Sequence, residues 1–126
     1  MAKILVVDDE PPIRQLLDAL LSLNGYDVIL AESGTQGLES YRRERPEVVV
    51  LDLNMPGMDG IAVLQQIRGL NPDQPVIIFT GSVSAEIEER LRALGANEMI
   101  EKEFQSSRLL DTLKRLLKAP PPLLCA

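Results

Sequence analysis

Four short apolar runs in this chain each lead directly into residues that can bind a phosphoryl group or a divalent cation. The runs and the residues that follow them are Ile4–Val7 with Asp8 and Asp9, Val48–Leu51 with Asp52, Val76–Phe79 with Thr80, and the weaker Met99–Glu101 with Lys102. Apolar runs of this length are typical of strands buried on both faces, and open parallel sheets bind ligands beyond the carboxyl ends of their strands. If the runs lie side by side, carboxylates, a hydroxyl and an ammonium meet at one edge. This arrangement predicts a metal-assisted reaction at an aspartate.

Strand-like and helix-like segments alternate along the chain, which predicts a parallel α/β sheet with helices on both faces. The predicted helices cover Pro11–Leu23, a segment capped by Ser33 and ending near Arg45, Gly60 to about Leu70, a segment capped by Ser84 and ending near Leu94, and a last segment capped by Ser106 or Ser107. Besides the four runs, Asp27–Ala31 is predicted as the second strand in chain order. Pro120–Pro122 stops the last helix because proline cannot donate a backbone hydrogen bond. We therefore expect one domain over residues 1–118 and a proline-rich tail or linker over 119–126.

Composition narrows the class of protein. A chain of 126 residues with 45% hydrophobic and 25% charged residues can bury its own core as one domain. The formal net charge of −6, with scattered Lys and Arg, argues against direct nucleic-acid binding. Cys125 is the only cysteine and no apolar stretch approaches the roughly 18 residues of a membrane span, so we expect a cytoplasmic protein without a membrane segment. The lack of histidine excludes histidine-based catalysis and histidine metal ligation by this chain.

The acidic residues after the first and third strands have distinct expected roles. Asp8 and Asp9 repel each other unless a cation lies between them, and Mg²⁺ binds through one or two carboxylates while keeping several waters; a solvated loop pair is the alternative. Asp52 can attack phosphorus to give an acyl phosphate when a cation neutralises the incoming anion. Asn54 can offer its backbone carbonyl to that cation. Asp59, by contrast, is better explained as the N-cap of the following helix.

Thr80 and Lys102 follow the fourth and fifth strands. A threonine hydroxyl can bond a phosphoryl oxygen, and a lysine ammonium can pair with the phosphate charge. Either residue alone has an ordinary structural explanation. Their positions beside the acidic residues at one sheet edge favour the functional one.

These segments resemble the receiver domain of the two-component response-regulator family over nearly the whole chain, from Lys3 to Lys118. The matching segments are Val7–Glu10, Leu51–Gly60, Phe79–Gly81, Gly95–Ala96 and Lys102. The resemblance implies a flavodoxin-like, doubly wound five-stranded parallel sheet in the order 2-1-3-4-5. It also implies that Asp52 takes a phosphoryl group from the histidine of a partner kinase or from a phosphotransfer protein.

The same resemblance implies a metal site. Asp9 and Asp52 ligate Mg²⁺ or Mn²⁺ directly, together with the backbone carbonyl of Asn54. Asp8 acts at least partly through water. On this interpretation the domain promotes its own phosphorylation and dephosphorylation, and is not a turnover enzyme.

The resemblance further implies a set of residues around the phosphoryl group. Thr80 and Lys102 contact its oxygens, and the small Gly81 leaves them access. Asn54 and Ser82 occupy the positions that tune how fast the aspartyl phosphate hydrolyses. The switch is expected to alter a protein-docking or output surface.

Two residues depart from the family pattern. Glu103 stands where the family usually has a proline with a cis peptide bond that aims the lysine, and a non-proline cis bond costs roughly 3–4 kcal/mol. We therefore expect a trans bond between Lys102 and Glu103 and a rearranged loop. Met99 stands where the family commonly has Tyr or Phe; methionine can repack but cannot supply the same ring rotamer. Phosphorylation chemistry is expected to survive, with a variant route of transmission.

Alternative functions come from different classes. A degenerate receiver acting as a phosphorylation-independent scaffold stays open because of Met99 and Glu103. A phosphatase of the haloacid-dehalogenase type would place its nucleophilic Asp after the first strand with an acidic residue two positions later, whereas Asp52 follows the third strand and is followed at that spacing by Asn54. A flavin-binding protein is disfavoured because no hydroxyl- or glycine-rich phosphate loop follows the first strand.

The expected partners are a histidine kinase or phosphotransfer protein, and either a downstream protein or an output domain outside this chain. The predicted docking surface comprises the fourth helix, fifth strand and fifth helix. Its charged residues are Glu86, Glu88, Glu89, Arg90 and Arg92. Ordinary solvation of these charges and a homodimer through the same face are both open alternatives.

Overall fold

The computed structural model describes residues 2–55, 57–81, 83–101 and 106–118, and within them five strands alternate with five helices. The strands are β1 (Lys3–Val7), β2 (Asp27–Ala31), β3 (Val48–Leu51), β4 (Val76–Thr80) and β5 (Glu98–Glu101). The helices are α1 (Pro11–Leu23), α2 (Gly34–Glu44), α3 (Gly60–Leu70), α4 (Ala85–Ala93) and α5 (Ser106–Lys118). The strands form one parallel sheet in the order β2-β1-β3-β4-β5. This confirms the predicted flavodoxin-like fold.

The register of the sheet aligns the carboxyl ends of the central strands. Val7 at the end of β1 pairs with Leu51 at the end of β3. Leu51 in turn pairs with Ile78 of β4, which continues to Thr80. The residues that follow β1 and β3 therefore emerge side by side, next to the last residue of β4.

Alternating strand residues face two separate cores, which explains why the central strands are continuous apolar runs in the sequence. Ile4 and Leu5 are adjacent in β1, lie in different cores, and both have no exposed surface. Helices α1 and α5 cover one face, where Leu17 and Leu113 are buried. Helices α2, α3 and α4 cover the other, where Leu91 is buried.

The helix starts confirm the predicted N-caps. The side chains of Ser33, Asp59 and Ser84 each accept a hydrogen bond from a backbone N–H in the first turn of α2, α3 and α4. The end of α2 is unusual because Arg45, which is not a glycine, adopts a left-handed conformation with φ of 49°. Helix α1 begins with Pro11 after Glu10, whose side chain makes no capping hydrogen bond.

A buried hydrogen-bond network lies at the amino-terminal ends of β3 and β4. The Tyr41 hydroxyl donates to Gln74 Oε1 at 3.1 Å. Gln74 Nε2 donates to the carbonyls of Glu47 and Pro75, both at 3.1 Å. Burial raises the pKa of the Tyr41 phenol above its usual value. The network stabilises the end of the sheet opposite Asp52.

Arg68 joins α3 to the end of α4, also at the amino-terminal end of the strands. Its guanidinium donates to the carbonyls of Leu94 and Gly95, each at 2.7 Å, and to that of Gln74 at 2.8 Å. Because carbonyls at a helix end have no partner within the helix, this side chain satisfies groups that would otherwise need water. Arg68 is thus a structural arginine remote from the predicted site.

None of the helices in the described part of the chain combines the length and hydrophobicity that a bilayer crossing requires. The predicted tail at 119–126, including Pro120–Pro122, lies outside the described residues. The proposed boundary after residue 118 stays a prediction.

Candidate functional site

Asp8, Asp52 and Thr80 lie at adjacent strand ends, as the sequence predicts. The sheet ladder continues into both acidic residues, because the Asp8 amide donates to the Ala31 carbonyl at 3.0 Å and the Asp52 amide to the Val7 carbonyl at 2.9 Å. The three site residues are almost fully buried, with 2%, 2% and 3% of their surface exposed. Their backbones are thereby fixed by the sheet itself.

A cluster of carboxylates forms at this edge. Oxygens of Asp8, Glu10 and Asp52 all lie within 4.8 Å of one another. The Asp8 Oδ1 atom accepts a hydrogen bond from the Glu10 amide at 2.9 Å, which turns the loop after β1 back over the strand ends. The all-oxygen, anionic donor set fits a hard divalent cation such as Mg²⁺.

The structure adds Glu10 to the acidic residues expected at the metal site. Glu10, which sequence reasoning did not single out as a ligand, contributes to the three-carboxylate cluster. Asp9 is half-buried and lines the adjacent cavity of about 310 Å³ with Glu10, Asp52, Asn54 and Gly81. The sequence signals for Glu10 were its place in the family-matching segment Val7–Glu10 and its position directly before the helix-starting Pro11. Direct ligation by Asp9 stays a prediction.

A chain of hydrogen bonds links Asn54, Thr80 and Asp52. The Thr80 hydroxyl donates to Asp52 Oδ1 at 3.1 Å, and the Asn54 backbone amide donates to the same oxygen at 3.2 Å. The Asn54 side-chain amide donates to Thr80 Oγ1 at 3.4 Å. Sequence reasoning anticipated a role for the Asn54 carbonyl but not this side-chain bond. The carbonyl's role as a metal ligand stays a prediction.

Two glycines shape the surroundings of Asp52. A Cβ atom added at Gly60 would collide with the Asp52 carbonyl oxygen and would approach the Leu53 Cα atom to 2.6 Å. Glycine at the start of α3 therefore lets the helix pack directly against the end of β3. A Cβ added at Gly81 would meet no described atom within 4 Å. This is consistent with the predicted open space next to Thr80.

Several predicted residues cannot be placed. Lys102, Ser82 and Glu103 lie outside the described residues, and so does the expected trans bond between Lys102 and Glu103. Their roles stay predictions.

Met99 is half-buried and packs against the core beneath α2, α3 and α4. It lines a cavity of about 420 Å³ that Thr80 also lines. Its carbonyl accepts a hydrogen bond from Arg108 Nη2 at 3.2 Å. Thr80, which contacts Asp52, thus shares a cavity with Met99, one of the two residues that depart from the family pattern.

The predicted docking surface carries mixed charges, several of them paired. Arg92 donates to Glu88 at 2.6 Å within α4. Glu98 of β5 lies 3.3 Å from Arg115 and 3.9 Å from Arg108. Exposed pairs of this kind contribute little stability. Docking and dimerisation through this face stay predictions.

The comparisons with known proteins agree with this geometry. The family model for the response regulator receiver domain matches residues 4–114. The chain belongs to the response regulator receiver domain family. Receiver domains of response regulators are signalling modules of two-component systems, and this membership leaves no support for the haloacid-dehalogenase and flavin-binding alternatives.

Individual relatives of this receiver domain are also similar over almost all of the chain. Response regulator MprA of Mycobacterium tuberculosis is 38% identical over 122 residues, which cover 95% of this chain and 52% of MprA. The chain therefore spans about half the length of the curated relatives it matches.

Solved receiver structures superpose closely on this one. The chemotaxis protein CheY4 of Vibrio cholerae is 34% identical with a TM-score of 0.87, covering 92% of this chain and 98% of that one. The BeF3-activated N-terminal receiver domain of Klebsiella pneumoniae RstA is 30% identical with a TM-score of 0.85, covering 91% and 97%.

Proposed function

We propose that Asp52 of this receiver domain accepts a phosphoryl group from a phosphohistidine on a histidine kinase or phosphotransfer protein. The observation that carries the proposal is the buried Asp52 carboxylate, which lies within 4.8 Å of oxygens of Asp8 and Glu10 and accepts a hydrogen bond from Thr80. In the reaction the P–N bond to the donor histidine breaks and a P–O bond to Asp52 forms. The electron pair of the broken bond stays with the histidine nitrogen.

The acidic cluster would hold Mg²⁺ or Mn²⁺. Asp8, Glu10 and Asp52 supply the grouped carboxylates. Asp9 and Asn54 line the adjacent cavity, and the Asp9 carboxylate and the Asn54 carbonyl would be further oxygen donors. A bound divalent cation neutralises the negative charge that repels phosphate from a carboxylate. Asp8 and Asp52 would hold the cation next to the phosphorylation site, because they follow the paired strands β1 and β3.

The residues around the phosphoryl group have separate roles. Thr80 would exchange its bond to Asp52 for one to a phosphoryl oxygen, and Lys102 would pair with the phosphate charge. Gly81 would leave the group accessible to donor and water. Asn54 and Ser82 would influence the rate of hydrolysis, Asn54 through its bond to Thr80.

A movement of Thr80 would be transmitted to the surface by Met99, which lines the same cavity. The recipient is a downstream protein or an output domain outside this chain, docking on the face of α4, β5 and α5, with a homodimer through that face as the alternative. The greater length of MprA supports an attached output domain, with the receiver ending near residue 118 and a linker following. The domain would work in the cytoplasm and would promote its own phosphorylation and hydrolysis without acting as a turnover enzyme.

Chemical phosphorylation tests the proposal. The protein is incubated with Mg²⁺ and acetyl phosphate, and intact mass is measured for the native sequence and for Asp52→Asn. We expect one added phosphoryl group on the native protein and none on the variant. If neither form gains mass and Mg²⁺ with beryllofluoride leaves the spectra unchanged, the phosphorylation-independent scaffold becomes the better function.

A further inference from the structure

Arg14 of α1 reaches back from the helix to the acidic loop. Its Nη1 atom donates to the backbone carbonyl of Asp8 at 2.8 Å. Its Nη2 atom lies 3.7 Å from Glu32 Oε2, and only 16% of the Arg14 side chain is exposed. The guanidinium therefore joins the loop after β1 to the loop after β2.

The same residue also holds the other end of the acidic loop. The Arg14 backbone amide donates to the Glu10 carbonyl at 3.1 Å, as part of the first turn of α1. The Glu10 side chain does not cap this helix, and its carboxylate belongs to the cluster with Asp8 and Asp52. Arg14 thus contacts both residues of the loop whose carboxylates face Asp52.

We propose that Arg14 is a positioning residue for the divalent-cation site, fixing the Asp8–Glu10 loop so that its carboxylates converge on Asp52. The inference rests on the proposed function, because that function requires the cation. Groups that orient metal ligands from outside the coordination sphere typically change affinity 10–100-fold when mutated. Arg14 acts on the ligands through the Asp8 backbone.

The direction in which Mg²⁺ affinity changes distinguishes a positioning role of Arg14 from an effect of its positive charge alone. A guanidinium beside the cluster repels a dication, so removing its charge alone would tighten cation binding. Loss of positioning would weaken binding instead, because the carboxylates would no longer be held together. Replacing Arg14 with an uncharged side chain of similar length therefore gives opposite outcomes for the two explanations.

Arg68 provides a matched control. It is also a partly buried arginine that donates to backbone carbonyls, but it does so at the opposite end of the sheet. Arg68→Met removes one positive charge and more hydrogen bonds to backbone carbonyls than Arg14→Met does, without touching the acidic loop.

The experiment measures Mg²⁺ affinity by amide NMR titration, which suits a chain without tryptophan. Four proteins are compared: the native sequence, Arg14→Met, Arg14→Lys and Arg68→Met. We expect the Kd for Mg²⁺ to rise about tenfold or more in Arg14→Met, to rise less in Arg14→Lys, and to stay at the native value in Arg68→Met. A folded Arg14→Met protein with a native or lower Kd overturns the inference.

A second measurement works without the cation. Hydrogen exchange of the Glu10 amide, which is bonded to Asp8 Oδ1, is followed in the absence of Mg²⁺. Faster exchange in Arg14→Met than in Arg68→Met supports the inference, and equal rates overturn it. If Arg14→Met fails to fold, Arg14→Lys decides both measurements, with native values counting against the inference.

The two proposals fail separately. A native protein that neither binds Mg²⁺ nor accepts a phosphoryl group contradicts the proposed function. A native protein that does both, alongside an Arg14→Met protein with unchanged Kd and Glu10 exchange, contradicts only the role of Arg14.

Discussion

Thr80 donates a hydrogen bond to Asp52 across two neighbouring strands, with 3.1 Å between Oγ1 and Oδ1. Both residues are almost fully buried, so this contact lies in the interior rather than on an exposed loop. Phosphorylation of Asp52 would convert one carboxylate oxygen into the bridging oxygen of an acyl phosphate. The threonine hydroxyl would then find its strongest acceptor on the phosphoryl group, since hydrogen bonds to charged oxygens are the stronger ones.

Thr80→Val should separate phosphorylation from its transmission. Valine keeps the branched shape but cannot donate to Asp52, so we expect the free energy of unfolding to fall by about 1–2 kcal/mol. Acetyl phosphate should still add one group at Asp52, while the beryllofluoride-induced NMR shift of the Met99 methyl should be lost. Thr80→Ser, which keeps the hydroxyl, is the control. A full Met99 shift in Thr80→Val would rule out transmission through this hydroxyl.

Gly60→Ala should disturb the site through the backbone of Asp52 and Leu53. The added methyl group would press on the Asp52 carbonyl and the Leu53 Cα atom, so we expect a loss of about 1–3 kcal/mol in stability and slower phosphorylation. Gly69 lies in the same helix, where an added Cβ would meet no described atom within 4 Å. Gly69→Ala should therefore raise stability by about 0.5–1 kcal/mol through helix propensity. Urea unfolding of both variants checks the opposite signs.

Arg45 should be replaceable by glycine with a gain in stability. A left-handed backbone costs a residue with a Cβ roughly 1–2 kcal/mol, and glycine would avoid this cost. Part of the gain is lost because glycine has more conformational entropy in the unfolded chain. We expect Arg45→Gly to stabilise by about 0.5–1 kcal/mol. Arg42→Gly, within the same helix α2, should destabilise by about 1 kcal/mol. Destabilisation by both substitutions would show that the Arg45 side chain contributes more than its backbone costs.

Tyr41 should make the fold sensitive to strongly alkaline pH. Burial raises the pKa of its phenol, whereas in the unfolded chain the group ionises near its ordinary pKa of 10.0. Below pH 10 both states keep the proton and stability is unaffected. Above it the unfolded state releases the proton first, so stability falls by up to about 1.4 kcal/mol per pH unit until the folded pKa is passed.

Urea unfolding between pH 8 and pH 11 measures this decline. Tyr41→Phe should be less stable than the native protein at pH 8, because Gln74 Oε1 loses its donor, but should lose less as the pH rises. Tyr26→Phe is the control for the other tyrosine of the chain. An equal alkaline decline in native and Tyr41→Phe proteins would assign it to other groups.

The sequence predicted those parts of the site that depend on strand order alone. Asp8, Asp52 and Thr80 meet because parallel strands present their carboxyl ends at one edge, which follows from the position of each apolar run. Glu10 could not be predicted in the same way, because its placement depends on the turn made when Asp8 accepts its amide. The reach of Arg14 back to the Asp8 carbonyl depends on a side-chain rotamer, which residue spacing does not specify.

The amides of Asp8 and Asp52 are bonded into the sheet, to the carbonyls of Ala31 and Val7. These two aspartates consequently belong to the same cooperative folding unit as the central strands. On heating, the capacity to bind a cation should disappear at the temperature at which the sheet itself unfolds. Phosphoryl chemistry and fold should thus share a single thermal limit.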